Sequence, residues 1–342
     1  VHKPEPVHQS TVEVCQRMDA QGNELCPLDE QQLRIDAQRV LDSGIKVAAV
    51  AFLHAYRNDA HERAVSDILY ALGFRSVTLS SVLSPSIKIV PRAQGAVVDA
   101  SLTPIVSQYL ENVGRALIGP CDEHANLKAM TSAGGLVAAT HYNARDSLLS
   151  GPAAGVAGAA AVGRRCGYER FIGFDMGGTS TDVARFDGGY SYRYEQNIGG
   201  ISLATTAIDI ETVAAGGGSI CDVIDQRLTV GPRSSGSDPG PACYGRGGPL
   251  TLTDVNLLSG RLDIDAMEIP VVSEAAAVEL VGLQAQIGSR LESNSQEAML
   301  DALLSIADQR VADAISQVSA RQGYDPADYA LIAFGGAGPQ HA

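Results

Sequence analysis

Three times along this chain a strand-like segment runs directly into a cluster of glycines. Phe171–Asp175 leads into Gly177-Gly178, Ile208–Val213 into Gly216-Gly217-Gly218, and Tyr329–Phe334 into Gly335-Gly336-Ala337-Gly338. Short apolar runs closed by turn residues read as strands. Glycine at such a strand end tolerates backbone conformations that other residues resist, and lets a second group approach with no Cβ in the way. In open α/β sheets the carboxyl ends of strands are where ligands sit. The pattern therefore points to a sheet whose strand ends are bare of side chains.

The remaining pattern alternates helix and strand. After Pro27-Leu28-Asp29-Glu30, the residues Leu33, Ala37, Val40 and Leu41 mark one helical face that Gly44 closes. Val47–Leu53 reads as a buried parallel strand, His61–Leu72 as a helix closed by Gly73, and Ser76–Ser80 as a strand. Thr11–Val14 is strand-like, Ala96–Leu117 reads as a long helix, Leu127–Met130 as a short strand, and Ser150 to about Arg165 as a helix of small residues. This alternation indicates an α/β fold. The change of pattern before Phe171 predicts two domains, 1–168 and 169–342, the second with a mostly helical stretch at about 273–322. The Gly/Pro/Ser-rich stretch Gly231–Gly248 exceeds an ordinary connection and is a candidate lid over a small substrate.

With 25 basic and 39 acidic residues, the formal charge of −14 excludes the basic stripe that a nucleic acid or an anionic membrane demands. An anionic ligand must then be held by main-chain N–H groups and a cation, and the 36 glycines supply such main chain. No run approaches the ~20 apolar residues of a membrane span. Cys15, Cys26, Cys121, Cys166, Cys221 and Cys243 are scattered, without C-x-x-C or zinc-ligand spacing, as expected of reduced thiols in a cytoplasmic protein.

The sharpest motif is Asp175-Met176-Gly177-Gly178-Thr179-Ser180-Thr181-Asp182. A strand delivers a carboxylate, two glycines turn the chain, and hydroxyls follow. Successive N–H groups in such a turn form an anion-binding concavity. Thr179 and Thr181 can donate to phosphate oxygens, and Asp175 can hold Mg²⁺ directly or through water, since Mg²⁺ takes few carboxylates and keeps several waters. Asp175 and Asp182 are the candidate catalytic carboxylates, and Asp175 the candidate metal ligand; a plain hairpin turn is the competing reading. Gly335, Gly336 and Gly338 leave room for a flat ring or a ribose, in neither a Walker A nor a G-x-G-x-x-G pattern. Gly216, Gly217 and Gly218 form either a linker or a ligand-facing loop, with Asp209 and Glu211 alternating on the strand before it. Arg233 either grips a carboxylate through its fork geometry or lies on the surface. Cys243 is either a nucleophile or a structural thiol, and His341 either faces a phosphate or begins a helix.

Taken in order, Ser84–Arg92, Leu149–Val156, Gly173–Asp182, Thr212–Ser219, Asp238–Tyr244 with Gly247–Asp254, and Gly323–Pro326 leading to Phe334–Ala342 resemble the hydantoinase A/5-oxoprolinase family, across essentially the whole chain. The resemblance implies an actin/Hsp70-like (ribonuclease H-like) two-domain ATPase architecture closing on ATP with Mg²⁺. It makes Asp175–Asp182 the second phosphate loop, with Gly177, Gly178, Thr179 and Thr181 against phosphate. The Gly216–Gly218 loop would lie beside the ligand, and Gly335, Gly336 and Gly338 beside the adenosine. The implied activity is hydrolytic opening of a cyclic amide, 5-oxoproline or a hydantoin, through a phosphorylated amide. An ATP-dependent ketone carboxylase subunit and a non-catalytic Hsp70/actin-like ATP-binding module are the alternatives. The implied partners are a hydantoinase B-like subunit or fused region and, in the full-length protein, further copies of itself. The family's first phosphate loop has no counterpart here, so an incomplete first domain and a fragment inactive by itself are expected.

Overall fold

The computed structural model describes residues 5–118, 127–267, 269–287 and 295–342, so Cys121 and part of the expected 273–322 helical stretch lie outside the described residues. In chain order the elements are β1 (Arg17–Met18), β2 (Glu24–Cys26), α1 (Glu30–Asp42), β3 (Val47–Val50), α2 (Ala60–Leu72), β4 (Ser76–Leu79), α3 (Ser80–Leu83), α4 (Ile89–Ile118), β5 (Lys128–Met130), β6 (Leu136–Ala138) and α5 (Ser150–Arg165). There follow β7 (Arg170–Met176), β8 (Thr181–Asp187), β9 (Tyr192–Arg193), β10 (Gln196–Ile198), β11 (Ile201–Leu203), β12 (Ala207–Ile208), β13 (Ile210–Val213), β14 (Ser219–Ile224), β15 (Arg227–Ser234), α6 (Leu252–Leu258), α7 (Ser273–Ile287), α8 (Gln296–Val318) and β16 (Ala330–Phe334). The chain is mixed α/β and divides into two compact units, Val1–Ala154 with Tyr192–Ile208, and Gly155–Ser191 with Asp209–Ala342. No helix among the described residues is long and apolar enough to cross a membrane.

In the first unit β3 and β4 pair in parallel, from Val47 opposite Ser76 to Val50 opposite Leu79. Asp29 caps α1, its carboxylate accepting from the Gln32 N–H at 3.0 Å. The buried face of α1 at Leu33 and Ala37 shares a core with Val65, Ile68 and Leu69 of α2 and with Phe74. Gly73 ends α2 in the left-handed conformation, at φ +109°. Thr11–Val14 has no ladder partner among the described residues; its alternation serves instead to seat Val14 on this core. Helix α4 begins at Ile89 rather than Ala96, because Pro91 falls in the first turn, where a missing N–H leaves no helical bond unmade.

A buried ion pair fixes the start of α4. The side chains of Glu62 and Arg92 are fully buried, 3.4 Å apart. Glu62 accepts from Phe52 N–H at 2.9 Å, from the Ser80 and Ser81 hydroxyls at 2.6 Å each, and from Ser81 N–H at 2.9 Å. Arg92 donates to Ser80 Oγ and to the Phe52 carbonyl, both at 2.7 Å. Desolvation pulls the Arg92 guanidinium below its ordinary value, and the Glu62 charge opposes that shift. A buried carboxylate is tolerable only with donors of this number.

The second unit is organised by a four-stranded sheet in the order β13-β8-β7-β16. β7 and β8 form an antiparallel hairpin, β13 extends it antiparallel to β8, and β16 joins β7 in parallel. Phe171, Ile172, Phe174 and Met176 of β7 are all buried, as the near-continuous apolar run requires of a strand covered on both faces. Met299, Leu303, Ala307, Val311, Ala314 and Val318 of α8 share the larger core with Ile172, Phe174 and Met176. The expected single strand Ile208–Val213 divides at Asp209: β12 pairs with β9, and β13 pairs with β8. Gly231–Ser234, expected as loop, belongs to β15, because the ladder with β14 extends to Ser234 opposite Ser219 across an irregularity in register. Pro232 sits at that irregularity, where no ladder donor is needed.

Candidate functional site

The β7–β8 hairpin sets Asp175 directly opposite Asp182 and Met176 opposite Thr181. The turn closes with Gly177 N–H donating to the Ser180 carbonyl at 3.0 Å. Residues directly opposite on an antiparallel pair have Cβ atoms about 5 Å apart, so the two carboxylates face one another at the base of the turn. Burial first, and then the Asp182 charge, hold Asp175 above its ordinary carboxylate value. Burial also raises Asp182, against the pull of the Thr212 hydroxyl, which donates to it at 2.6 Å. The pair thus has an electrostatic deficit that a cation would relieve.

The Gly216–Gly218 loop lies against this turn. Gly217 N–H donates to the Gly177 carbonyl at 2.9 Å and Gly218 N–H to the Gly178 carbonyl at 2.6 Å. A Cβ on Gly216 would lie 2.7 Å from Thr179 N and 2.8 Å from Ser180 N, so only glycine allows this approach. Thr181 is fully buried and its hydroxyl donates to the Ala215 carbonyl, joining the same two loops from beneath. The carbonyls of Gly177 and Gly178 are therefore occupied. The N–H groups of Gly178, Thr179 and Ser180 make no hydrogen bond to any described residue. Thr179 is exposed, and a Cβ on Gly178 would meet nothing within 4 Å.

The third glycine segment borders Asp175. Gly335 has φ +81°, and a Cβ there would collide with Asp175 Oδ1 and the Met176 carbonyl. Ala337 N–H donates to that carbonyl at 2.9 Å. Gly338 packs beneath, where a Cβ would lie 3.4 Å from the Phe174 carbonyl, whereas Gly336 faces open space. On the other flank, a Cβ on Gly155 of α5 would stand 3.2 Å from Asp175 Oδ2. Gly155 and Thr212 escape a sequence reading of the site. The visible signal for Gly155 is its position inside a helix, which costs about 1 kcal/mol relative to alanine. The three glycine clusters meet: Gly216–Gly218 lies against the Gly177–Ser180 turn, and Gly335 against Asp175 and Met176.

Several other candidates are otherwise engaged. Cys243 is buried, and desolvation followed by the Asp254 carboxylate pushes its thiol up to about 12. That makes it a structural thiol. Asp254 itself is fully buried and accepts from the N–H groups of Ala242, Cys243 and Thr251 at 3.1, 2.7 and 2.7 Å, and from the Thr251 hydroxyl at 2.9 Å. Arg233 pairs with the chain's own Asp222 at 2.6 Å. His341 joins Asp308 at 2.9 Å through Nδ1 and Asn256 at 2.9 Å through Nε2, so its ring ties the segment after Gly338 to α6 and α8. Asp209 and Glu211 each have partners within the protein. Among the described residues no three His, Cys, Asp or Glu side chains cluster as a metal site would.

Fold and site together define a mixed α/β protein with a carboxylate pair at the base of a turn whose Gly178, Thr179 and Ser180 N–H groups have no partner among the described residues. Residues 92–342 match the hydantoinase/oxoprolinase model and residues 1–73 the hydantoinase/oxoprolinase N-terminal region. The chain belongs to the hydantoinase/oxoprolinase family. It is 40% identical over 329 residues to 5-oxoprolinase of Saccharomyces cerevisiae, covering 92% of this chain and 25% of that protein. It is 31% identical over 331 residues to the caprolactamase alpha subunit of Pseudomonas jessenii, covering 95% of this chain and 47% of that one. The chain thus spans about a quarter of the length of the 5-oxoprolinases it matches. Among solved structures, the ATP-dependent caprolactamase of Pseudomonas jessenii superposes with a TM-score of 0.79 at 29% identity, over 96% of this chain and 48% of that one. A nucleotide-free acetone carboxylase gives the same score at 23% identity, over 96% and 47%, a likeness of fold.

Proposed function

We propose that this chain carries the phosphate-binding part of an enzyme that uses ATP to open a cyclic amide by hydrolysis. The observation that carries the reading is the row of free N–H groups at Gly178, Thr179 and Ser180 above the Asp175–Asp182 pair. Such N–H groups suit a phosphate chain in a protein of charge −14, which has no basic field to offer one. The sheet order β13-β8-β7-β16 supports assignment to the actin/Hsp70-like superfold.

The donor set fits Mg²⁺, which binds through one or two carboxylates, retained waters and phosphate oxygens. Asp175 would hold it, relieving the charge that burial and Asp182 impose on it. Asp182 would stay fixed by Thr212. Gly178, Thr179 and Ser180 would face phosphate through their N–H groups, with Gly177 closing the turn and Thr181 and the Gly216–Gly218 loop supporting it from behind. Gly335, Gly336 and Gly338 would border the nucleoside. When bound, ATP would supply a phosphoryl group to the amide oxygen, turning a resonance-stabilised carbonyl into an electrophile that water can attack. The chain's contribution would be positioning and charge neutralisation.

The relatives named 5-oxoprolinase at 37–40% identity and the caprolactamase subunit at 31% favour a ring amide over a ketone. 5-Oxoproline and hydantoins are the substrate class we assign. A hydantoinase B-like subunit or fused region is the assigned partner of the natural protein, with self-association in the full-length form. The test is ADP release by the full-length protein with 5-oxoproline, a hydantoin or acetone. Amide-stimulated release that falls on the order of a hundredfold in Asp175→Ala is expected. Stimulation by acetone alone would favour the carboxylase reading. Nucleotide turnover unaffected by Asp175→Ala would refute the site.

A further inference from the structure

Behind the third glycine segment, the His341 side chain is fully buried, and the hydrogen bonds around it have a fixed polarity. Gln340 donates through Nε2 to the Gly336 carbonyl at 2.9 Å, which turns its Oε1 toward α6. Asn256 on α6 is wholly buried and donates to that Oε1 through Nδ2 at 2.8 Å. The same Nδ2 lies 2.9 Å from His341 Nε2. An amide nitrogen has two hydrogens and accepts none, so His341 Nε2 accepts and the ring proton sits on Nδ1. From there it donates to Asp308 Oδ1 on α8 at 2.9 Å. Arg261, just after α6, donates to the Gln340 carbonyl at 2.8 Å. Asp308 and Arg261 are thus the charged groups set against the ring and against Gln340. One atom is left over: Asn256 Oδ1 is buried and has no hydrogen-bond partner among the described residues.

We propose that Asn256 and His341 are positioning residues for the Gly335–Gly338 segment, and that they hold it only while His341 is neutral. The inference rests on the proposed nucleotide site, whose nucleoside side that segment would border. A proton on His341 Nε2 sets donor against donor in a buried position, an arrangement that costs free energy. Turning the Asn256 amide over relieves the conflict, because the partnerless Oδ1 then accepts from Nε2–H. The same turn brings Oδ1 against Gln340 Oε1, two acceptors with no hydrogen between them. Gln340 can follow only by turning its own amide, which takes its Nε2 off the Gly336 carbonyl. Gly335 stands against Asp175 Oδ1 and the Met176 carbonyl with no room for a Cβ, so releasing Gly336 loosens the wall beside that carboxylate.

The experiment takes the full-length protein from about pH 8 to about pH 5.5, the range in which an imidazole changes charge. Hydrogen exchange of the free protein, corrected for the intrinsic rate, reads the 335–341 peptide; calorimetry reads the affinity for a nonhydrolysable ATP analogue with Mg²⁺. Acidification should speed exchange in that peptide about tenfold, the worth of one lost hydrogen bond, and weaken the analogue. His341→Gln keeps an acceptor beside Asn256 but takes up no proton, so the exchange response should vanish. Its affinity profile should keep only the part due to the analogue's phosphates and Asp175. Asn256→Asp offers only oxygen to Gln340 and His341, so its exchange should be fast at both ends of the range. Exchange at 335–341 indifferent to pH in the wild type, or a response kept in His341→Gln, would overturn the proposal. An analogue that binds at no pH would refute the nucleotide site instead, and the exchange measurement, which needs no nucleotide, would still decide the role of His341.

Discussion

Asp254 and Asp175 are both carboxylates set among glycines at the edge of the second unit's core, and they are held in opposite ways. Asp254 is fully buried with four hydrogen-bond donors around it, so its charge is neutralised where it lies. Asp175 sits between the bare Cα atoms of Gly155 and Gly335, opposite another carboxylate, and accepts no hydrogen bond from a described residue. A saturated carboxylate organises a fold, whereas one left in deficit is available to a ligand. Composition alone does not separate the two, since both lie in glycine-rich stretches ending in Thr-Asp-type sequences.

Substitutions can break or sharpen this contrast. Asp254→Ala strands the Cys243 and Thr251 N–H groups, while the Ala242 N–H keeps the Pro249 carbonyl, and should cost about 3 kcal/mol or more in urea unfolding; a smaller loss would show that Asp254 is not the organiser. Gly216→Ala forces a Cβ onto the Thr179–Ser180 backbone and should cost roughly 2 kcal/mol, with loss of nucleotide affinity in the full-length protein. Under native conditions Cys243, its thiol pushed up to about 12, should resist iodoacetamide while exposed Cys166 reacts. Equal rates would mean that the Asp254 neighbourhood is open. Asp175→Asn should have the smallest effect and the opposite sign. Because the folded-state pKa of Asp175 is raised, its charge costs nothing below the ordinary carboxylate range and grows costly as pH climbs through the folded value. The variant should then be more stable at neutral pH, and the gain should fade on acidification. A thermal melt at two pH values reads it.

Strands 171–175, 181–186 and 329–334 are legible in the sequence because apolar runs between glycines have few other uses, and β7, β8 and β16 lie within a residue of where those runs predict. The sheet order is not legible, since parallel pairing of Ala330–Phe334 with Phe171–Asp175 joins segments far apart in sequence. Gly231–Ser234 misleads because glycine, proline and serine favour turns locally, and only the β14 partner makes them strand. Within the site, Asp175 and the three glycine clusters announce themselves by residue type. The burial of Thr181 against Ala215 and the flanking of Asp175 by Gly155 depend on tertiary contacts that spacing does not encode.

Gly217 joins more than one neighbour: its N–H reaches the Gly177 carbonyl, while its own carbonyl accepts from Thr253 N–H at 2.7 Å and Thr253 Oγ1 at 2.9 Å. Turn, middle loop and first residues of α6 are consequently linked as a single mechanical train. Stiffening the tip should register as slowed amide exchange at Thr253, in the first turn of α6.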